Sequence, residues 1–186
     1  MGFHTYDASR ADALEDPDRF RYCSVEELLG ALAVESDAEI ADLGSGTGFY
    51  TDALAPHVGH CYAVDVQAEM HDRYREKGVP ESVELLTAEV ADLPLDDDAL
   101  DAAFSTMTFH EFASDEALAE LARVVRPGGR VVTVDWTRHG NGDAGPPTDE
   151  RFGAGEAATF FAEAGFTVER AAERSETLVV VARECV

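Results

Sequence analysis

The chain has 186 residues, 45% of them hydrophobic and 28% charged, which suits one globular domain and not a disordered chain. Its 38 Asp and Glu stand against 14 Lys and Arg, a formal net charge of -24. A field so negative argues against sequence-independent binding of DNA or RNA and against docking on an anionic membrane, since both need cations at the contact.

From Met1 to about Ala33 the sequence is polar with helical pieces, the clearest being Val25 to Leu32. This predicts an N-terminal helical lid over residues 1–33, with the main body at 34–186. Glu39 to Leu43 is a short apolar run ending in glycines, hence a strand and a tight turn. Phe49 to His57 has helical spacing and His60 to Val64 is the next apolar run, ending at Asp65. Ala68 to Lys77 reads as a helix stopped by Gly78, and Val83 to Thr87 and Leu100 to Thr106 read as strands. Ser114 or Asp115 can cap a helix reaching Val125, with Pro127-Gly128-Gly129 as its terminator. Arg130 to Trp136 is rich in β-branched residues and predicts a buried strand. A polar loop from Thr137 to Arg151 leads to a helix over Gly155 to Ala164, then to strands at Phe166 to Ala171 and Thr177 to Arg183. Strands alternating with helices predict a mostly parallel sheet covered on both faces, and the last two strands, with no helix between them, should be antiparallel.

The first ten residues lack the cationic and apolar regions of a signal peptide. No run approaches the roughly 18 apolar residues of a membrane-spanning helix. Cys23, Cys61 and Cys185 are far apart and in no metal-type spacing. The expectation is a reduced, cytoplasmic protein without a metal site.

The most informative segment is Asp42-Leu43-Gly44-Ser45-Gly46-Thr47-Gly48, which follows a predicted strand and opens a helix. Glycines there let backbone amides approach a ligand. A dinucleotide fingerprint would want its third glycine where Phe49 stands, and a phosphate-binding loop would need a lysine that is absent. The loop therefore suits a nucleoside-type ligand without a pyrophosphate. Asp65, about 20 residues further on, can accept both hydroxyls of a ribose. Glu89, beyond the third strand, can accept from an adenine amino group. These sites share the carboxyl edge of the sheet, where open α/β sheets bind ligands.

In this order the motifs resemble those of the class I S-adenosylmethionine-dependent methyltransferases, in the group related to quinone-biosynthesis and type 11 enzymes. The stretches are Ile40 to Gly48, Ala63-Val64-Asp65, Glu89 to Leu95, Arg123 to Arg130 and, more weakly, Phe161 to Phe166. Ala88-Glu89 replaces the family's usual Gly-Asp, and Ser45 stands where Cys or Gly is frequent. The resemblance implies a Rossmann-like seven-stranded sheet in the order 3-2-1-4-5-7-6 with strand 7 antiparallel. It implies S-adenosyl-L-methionine as cofactor and methyl transfer to a small-molecule acceptor by in-line displacement. Carried onto this sequence, it places Asp42, Gly44, Ser45, Gly46, Gly48, Asp65, Val66, Met70, Glu89, Val90 and Thr106 at the cofactor. Asp42 would orient the glycine loop and lie near the cofactor's amino end. Met70 could equally be helix core.

The acceptor side is less determined. His110 could act as a general base or cap the following helix, and the structural role is preferred. His4, Tyr6, Arg19 and Tyr22 could sit on the lid. Trp136 ends a strand near the expected acceptor pocket, though such a residue is more often core. The loop carrying His139 and Pro146-Pro147 could gate the substrate. Ser105-Thr106-Met107 stands where DNA methyltransferases carry Asn-Pro-Pro-Tyr, which with the charge disfavours nucleic-acid acceptors. Two alternatives stay open: a non-catalytic S-adenosylmethionine-binding module working as a homodimer, and a same-fold enzyme using the cofactor for other chemistry.

The acidic residues are dispersed along the whole chain, and Lys77 is the only lysine. This pattern suits the surface of a protein from a halophile, because molar salt shortens the Debye length to about 3 Å and screens self-repulsion. The fold should therefore melt at a higher temperature in molar KCl than in dilute buffer. A melting curve that does not move with KCl would refute the salt-adaptation reading.

Overall fold

The computed structural model describes residues 6–185, so His4 lies outside the described residues. Seven strands form one sheet: β1 (Glu39–Leu43), β2 (His60–Asp65), β3 (Val83–Thr87), β4 (Leu100–Thr106), β5 (Val125–Trp136), β6 (Thr167–Glu173) and β7 (Thr177–Arg183). Their order is β3-β2-β1-β4-β5-β7-β6. The pairs from β3 to β5 are parallel, and β7 runs antiparallel to both β5 and β6. This is the predicted topology.

Six helices cover the sheet: α1 (Val25–Leu32), α2 (Phe49–Leu54), α3 (Ala68–Lys77), α4 (Phe109–Phe112), α5 (Asp115–Val124) and α6 (Ala154–Glu163). Period-two alternation sends neighbouring strand residues to opposite faces. Ile40, Ala102, Phe104 and Val132 pack on one face with Leu28 and Leu32 of α1, Leu54 of α2 and Tyr74 of α3. Ala41, Leu43, Ala103 and Val131 pack on the other with Phe109, Leu118, Leu121 and Phe161. Phe109 stacks on Phe161 at 5.5 Å between centroids, so α4 and α6 share one aromatic core.

Local chemistry sets the helix ends. Ser24 Oγ accepts the Glu27 N–H at the start of α1, and Ser114 Oγ accepts the Ala117 N–H at the start of α5. Buried Ala117, Leu118, Leu121 and Val124 give α5 one apolar face.

The structure differs from the sequence reading in three places. First, α1 belongs to the main core, because Leu28 and Leu32 are fully buried beneath β4 and β5. The segment that stands over the sheet edge is two 3-10 turns, Ala8–Glu15 and Pro17–Arg21. Second, Pro127-Gly128-Gly129 does not divide helix from strand. The chain passes directly from α5 into β5, where Val125 pairs with Leu100, and the Gly128 N–H reaches the Glu184 carbonyl at 3.0 Å. Third, α2 stops at Leu54 and continues as a 3-10 turn over Ala55–His57, since Pro56 offers no N–H to the α-helical ladder. Among the described residues, no helix is long and apolar enough to cross a membrane.

Candidate cofactor and acceptor site

A cavity of about 1390 Å³ opens at the carboxyl ends of β1, β2, β4 and β5. The tip of β1 supplies Asp42, Gly44, Ser45 and Gly46 to its wall. The tip of β2 and the following turn supply Asp65, Val66 and Met70. Glu89 and Val90 come from the segment after β3, and Thr106 and His110 from the end of β4 and the start of α4. Residues dispersed over nearly 70 positions of sequence thus meet around one space. Gly48 is the exception.

Gly48 lies behind the loop and not on the cavity wall. Its φ is +83°, and a Cβ there would come within 2.2 Å of the Tyr74 ring. The glycine is required by packing against α3. The turn itself is fixed by Gly44 and Ser45 N–H groups, which both donate to the Val64 carbonyl at 2.9 and 2.8 Å.

Asp42 is 1% exposed. Its Oδ2 accepts from Thr51 Oγ1 at 2.6 Å, while Oδ1 has no partner. Burial outweighs the Thr51 side chain and backbone and the charge of Arg19, and pushes the carboxyl up to about 7. The carboxylate bonds α2 and not the glycine loop, contrary to the orienting role expected from sequence. Ser45 Oγ is also buried without a partner.

Asp65 is differently placed. Its Oδ2 accepts the Gly46 N–H and its Oδ1 the Gln67 N–H, each at 2.8 Å. Burial raises its pKa and these bonds oppose the rise. Each oxygen keeps a lone pair for a further donor. Glu89 is exposed, whereas Met70 and Val90 are buried apolar wall.

The N-terminal turns close one side. Tyr6, Leu14, Arg19 and Tyr22 all line the cavity. Arg19 donates to the Leu14 carbonyl at 2.7 Å and lies 5.1 and 5.2 Å from the centroids of Phe49 and Tyr50. The single lysine fastens this segment: Lys77 Nζ lies 3.0 Å from Glu15 and 2.8 Å from Asp52, and Glu15 also takes the Thr47 hydroxyl.

The far side is built from α4, the end of β5 and the loop after it. His110 Nδ1 lies 3.0 Å from both carboxylate oxygens of Asp135, and the His110 backbone N–H donates to Asp135 Oδ2 at 2.7 Å. Asp135 therefore caps α4, and the imidazole does not. Burial would lower the His110 pKa, but Asp135, Glu111 and Glu150 together hold it above its ordinary 6.5. Burial pushes neighbouring Glu111 up to about 7. Trp136 is 8% exposed, lines the cavity, and meets Tyr22 edge-on at 4.7 Å. Asp143, Pro146 and Glu150 of the following loop also line it, whereas His139 turns away to Glu173 at 3.2 Å.

Sequence reasoning missed three residues here. Asp135 had a signal, since it is a carboxylate interrupting an apolar strand. Glu111 had only its position after His110. Arg151 had none: it is 1% exposed, with its guanidinium bonded to the carbonyls of Thr137, Ala144 and Pro146, and so anchors the loop. Met107 has a φ of +64°, a conformation that non-glycine residues hold under strain and that clusters at functional sites.

A profile of the methyltransferase domain family matches residues 41–133. The crystal structure of a SAM-dependent methyltransferase from Aquifex aeolicus superposes with a TM-score of 0.88 at 32% identity, covering 97% of this chain and 100% of that one. The chain belongs to the class I S-adenosylmethionine-dependent methyltransferases. Its cofactor is S-adenosylmethionine. Among curated relatives, a probable chloroplastic tocopherol O-methyltransferase from Oryza sativa subsp. japonica is 33% identical over 143 residues, 70% of this chain and 39% of that protein. A demethylmenaquinone methyltransferase from Clavibacter sepedonicus is 34% identical over 109 residues, 58% of this chain and 44% of that protein. The chain spans about two fifths of the length of these relatives.

The residues present fit the family's cofactor. An orphaned buried carboxylate oxygen on Asp42 suits its ammonium group, and the doubly anchored Asp65 suits a ribose diol. Among the described residues, no group of three or more His, Cys, Asp and Glu side chains is arranged to hold a metal. Gly48→Ala should lower stability by about 2 kcal/mol or more through strain and the clash with Tyr74, without changing any cavity-lining side chain. Chemical denaturation measures this, and a loss near zero would refute the packing role.

Proposed function

We propose that this chain transfers the methyl group of S-adenosylmethionine to a small-molecule acceptor held in the same cavity. The observation that carries this reading is Asp42 Oδ1, buried and unpartnered on the wall of a cavity too large for the cofactor's amino end alone. Bound there, the cofactor supplies an electrophilic methyl group on a sulfonium.

The chain's residues then divide the work. Asp65 accepts the ribose hydroxyls. Glu89 accepts from the adenine amino group, with Val66, Met70 and Val90 as the apolar walls around the base. Gly44, Ser45 and Gly46 bring backbone close to the amino-acid part, beside the chain at Thr106. Asp42 takes the ammonium, and Arg19, the cavity-lining arginine nearest Asp42 in influence, takes the carboxylate. The N-terminal turns, residues 6–23, act as the lid, and the loop after Trp136 closes the acceptor end. Enclosure of this kind excludes water and holds acceptor and methyl in line. His110 stands on the acceptor side as the base. The tocopherol and demethylmenaquinone methyltransferases among the relatives support a small-molecule acceptor.

Asp65→Ala should weaken binding of S-adenosylhomocysteine by about tenfold or more, the worth of a charge-assisted hydrogen bond. Calorimetry in molar KCl measures it, and unchanged affinity would remove the ribose assignment. Release of S-adenosylhomocysteine in a screen of quinols, thiols, catechols and amines tests the activity itself.

Asp42 gives a pH signature. Its folded pKa of about 7 is above its ordinary 3.8, so the stability it contributes is present in acid and lost as pH rises through about 7. An ammonium bound beside it favours the anion. Binding at about pH 6 should therefore release a proton, and at about pH 8.5 should not. Calorimetry in buffers of different ionisation enthalpy reads the proton, and Asp42→Asn should abolish its release.

A further inference from the structure

The acceptor half of the cavity carries a charge pattern that the cofactor does not use. The wall formed by α4, the start of α5, the end of β5 and residues 143–150 presents Glu111, Glu116, Asp143 and Glu150 and, among the described residues, no Lys or Arg, whereas Arg10, Arg19 and Arg21 line the cavity from the N-terminal turns. Glu111 is no ordinary surface acid, since its side chain is 20% exposed and lies 3.8 Å from His110 Nε2. Asp135, 1% exposed, holds the opposite ring nitrogen. The same wall presents Trp136 and Phe112, with Tyr22 packed against Trp136. The buried guanidinium of Arg151 lies 5.6 Å from the Trp136 centroid but is bonded to backbone carbonyls and does not line the cavity.

We propose that the methyl acceptor is an amine that arrives as an ammonium on an apolar or aromatic body, and that His110 takes its proton. This rests on the methyl-transfer reading above. An anionic acceptor would meet these carboxylates with the cavity's arginines only on the N-terminal turns, and a neutral hydroxyl or thiol would gain a hydrogen bond but no attraction between charges. An ammonium is attracted by both the carboxylates and the aromatic faces. The carboxylates also offset the repulsion between the ammonium and the sulfonium beside it. Asp135 accepts from Nδ1–H and so leaves the Nε2 lone pair for the proton. The ammonium N–H bond breaks with its proton going to Nε2. The freed nitrogen pair then forms the bond to the methyl carbon while the carbon–sulfur pair returns to sulfur. The imidazolium later gives its proton to solvent. Asp135 is a positioning residue, Glu111 a specificity residue.

The test uses protein saturated with S-adenosylhomocysteine and three probes of one shape: phenethylamine, phenethyl alcohol and phenylacetate. The amine should bind about tenfold or more tighter than the alcohol, and phenylacetate weakest. Glu111→Gln should remove most of the amine preference while leaving S-adenosylhomocysteine affinity within about twofold. In NMR titrations Asp135→Asn should lower the His110 pKa, and methyl transfer to amines should rise with pH through the His110 pKa of the unaltered protein. Alcohol or acid binding as tightly as the amine, an amine preference that survives Glu111→Gln, or no binding by any probe overturns the proposal. Failure of S-adenosylhomocysteine itself to bind would instead overturn the methyl-transfer reading.

Discussion

Neighbouring parallel strands β1 and β4 send their following helices to opposite faces of the sheet. Helix α2 packs with α1 and α3 on one face, and α4 and α5 pack with α6 on the other. Right-handed crossovers permit this only where the strand order reverses, and a crevice opens at the carboxyl ends of the two strands. Asp42 at one tip and Thr106 and His110 beyond the other face each other for this reason alone. The glycine loop, the strained Met107 and the imidazole all depend on that divergence.

Burial then gives the crevice its chemistry. Three carboxylates are buried in or beside it, Asp42 and Asp65 on its wall and Asp135 against His110, and each is handled differently. Asp65 is anchored by two backbone N–H groups, Asp135 by the His110 ring and two backbone N–H groups, and Asp42 by one hydroxyl. The first two are satisfied in the folded chain. Asp42 is the one left with an unpartnered oxygen, and burial raises its pKa. Burial of Glu111 acts in the same direction without any anchoring hydrogen bond.

The remaining parts enclose the crevice. Lys77 carries charge contacts from α3 to both Glu15 of the N-terminal turns and Asp52 of α2, so the only lysine in an acidic chain ties those turns to the body. Arg151 does the same on the other side through carbonyls, fixing the loop that carries Pro146 and Glu150. Arg174, at the β6–β7 turn, bonds the Tyr22 carbonyl and pairs with Glu27, and so sets where Tyr22 meets Trp136.

The sequence alone determined which segments are strands and helices, and the family resemblance carried by its motifs implied the sheet order that the structure has. Strand periodicity, glycines at a turn and a carboxylate at a strand tip are local signals, readable wherever they fall. Asp42, Asp65, Glu89 and the loop glycines could be named because each sits in such a signal. It also suggested more than packing allowed: Gly48 turns out to serve Tyr74, and α1 the core. The side of the cavity around His110 was decided only by the tertiary structure. His110 and Asp135 are 25 residues apart, on a helix start and a strand end, and no periodicity links them. Arg151 reads as a surface arginine until the loop folds over it. Whether a charged side chain is solvated, paired or orphaned depends on what the other strands bring beside it, and that is a property of contacts across the chain that no local pattern encodes.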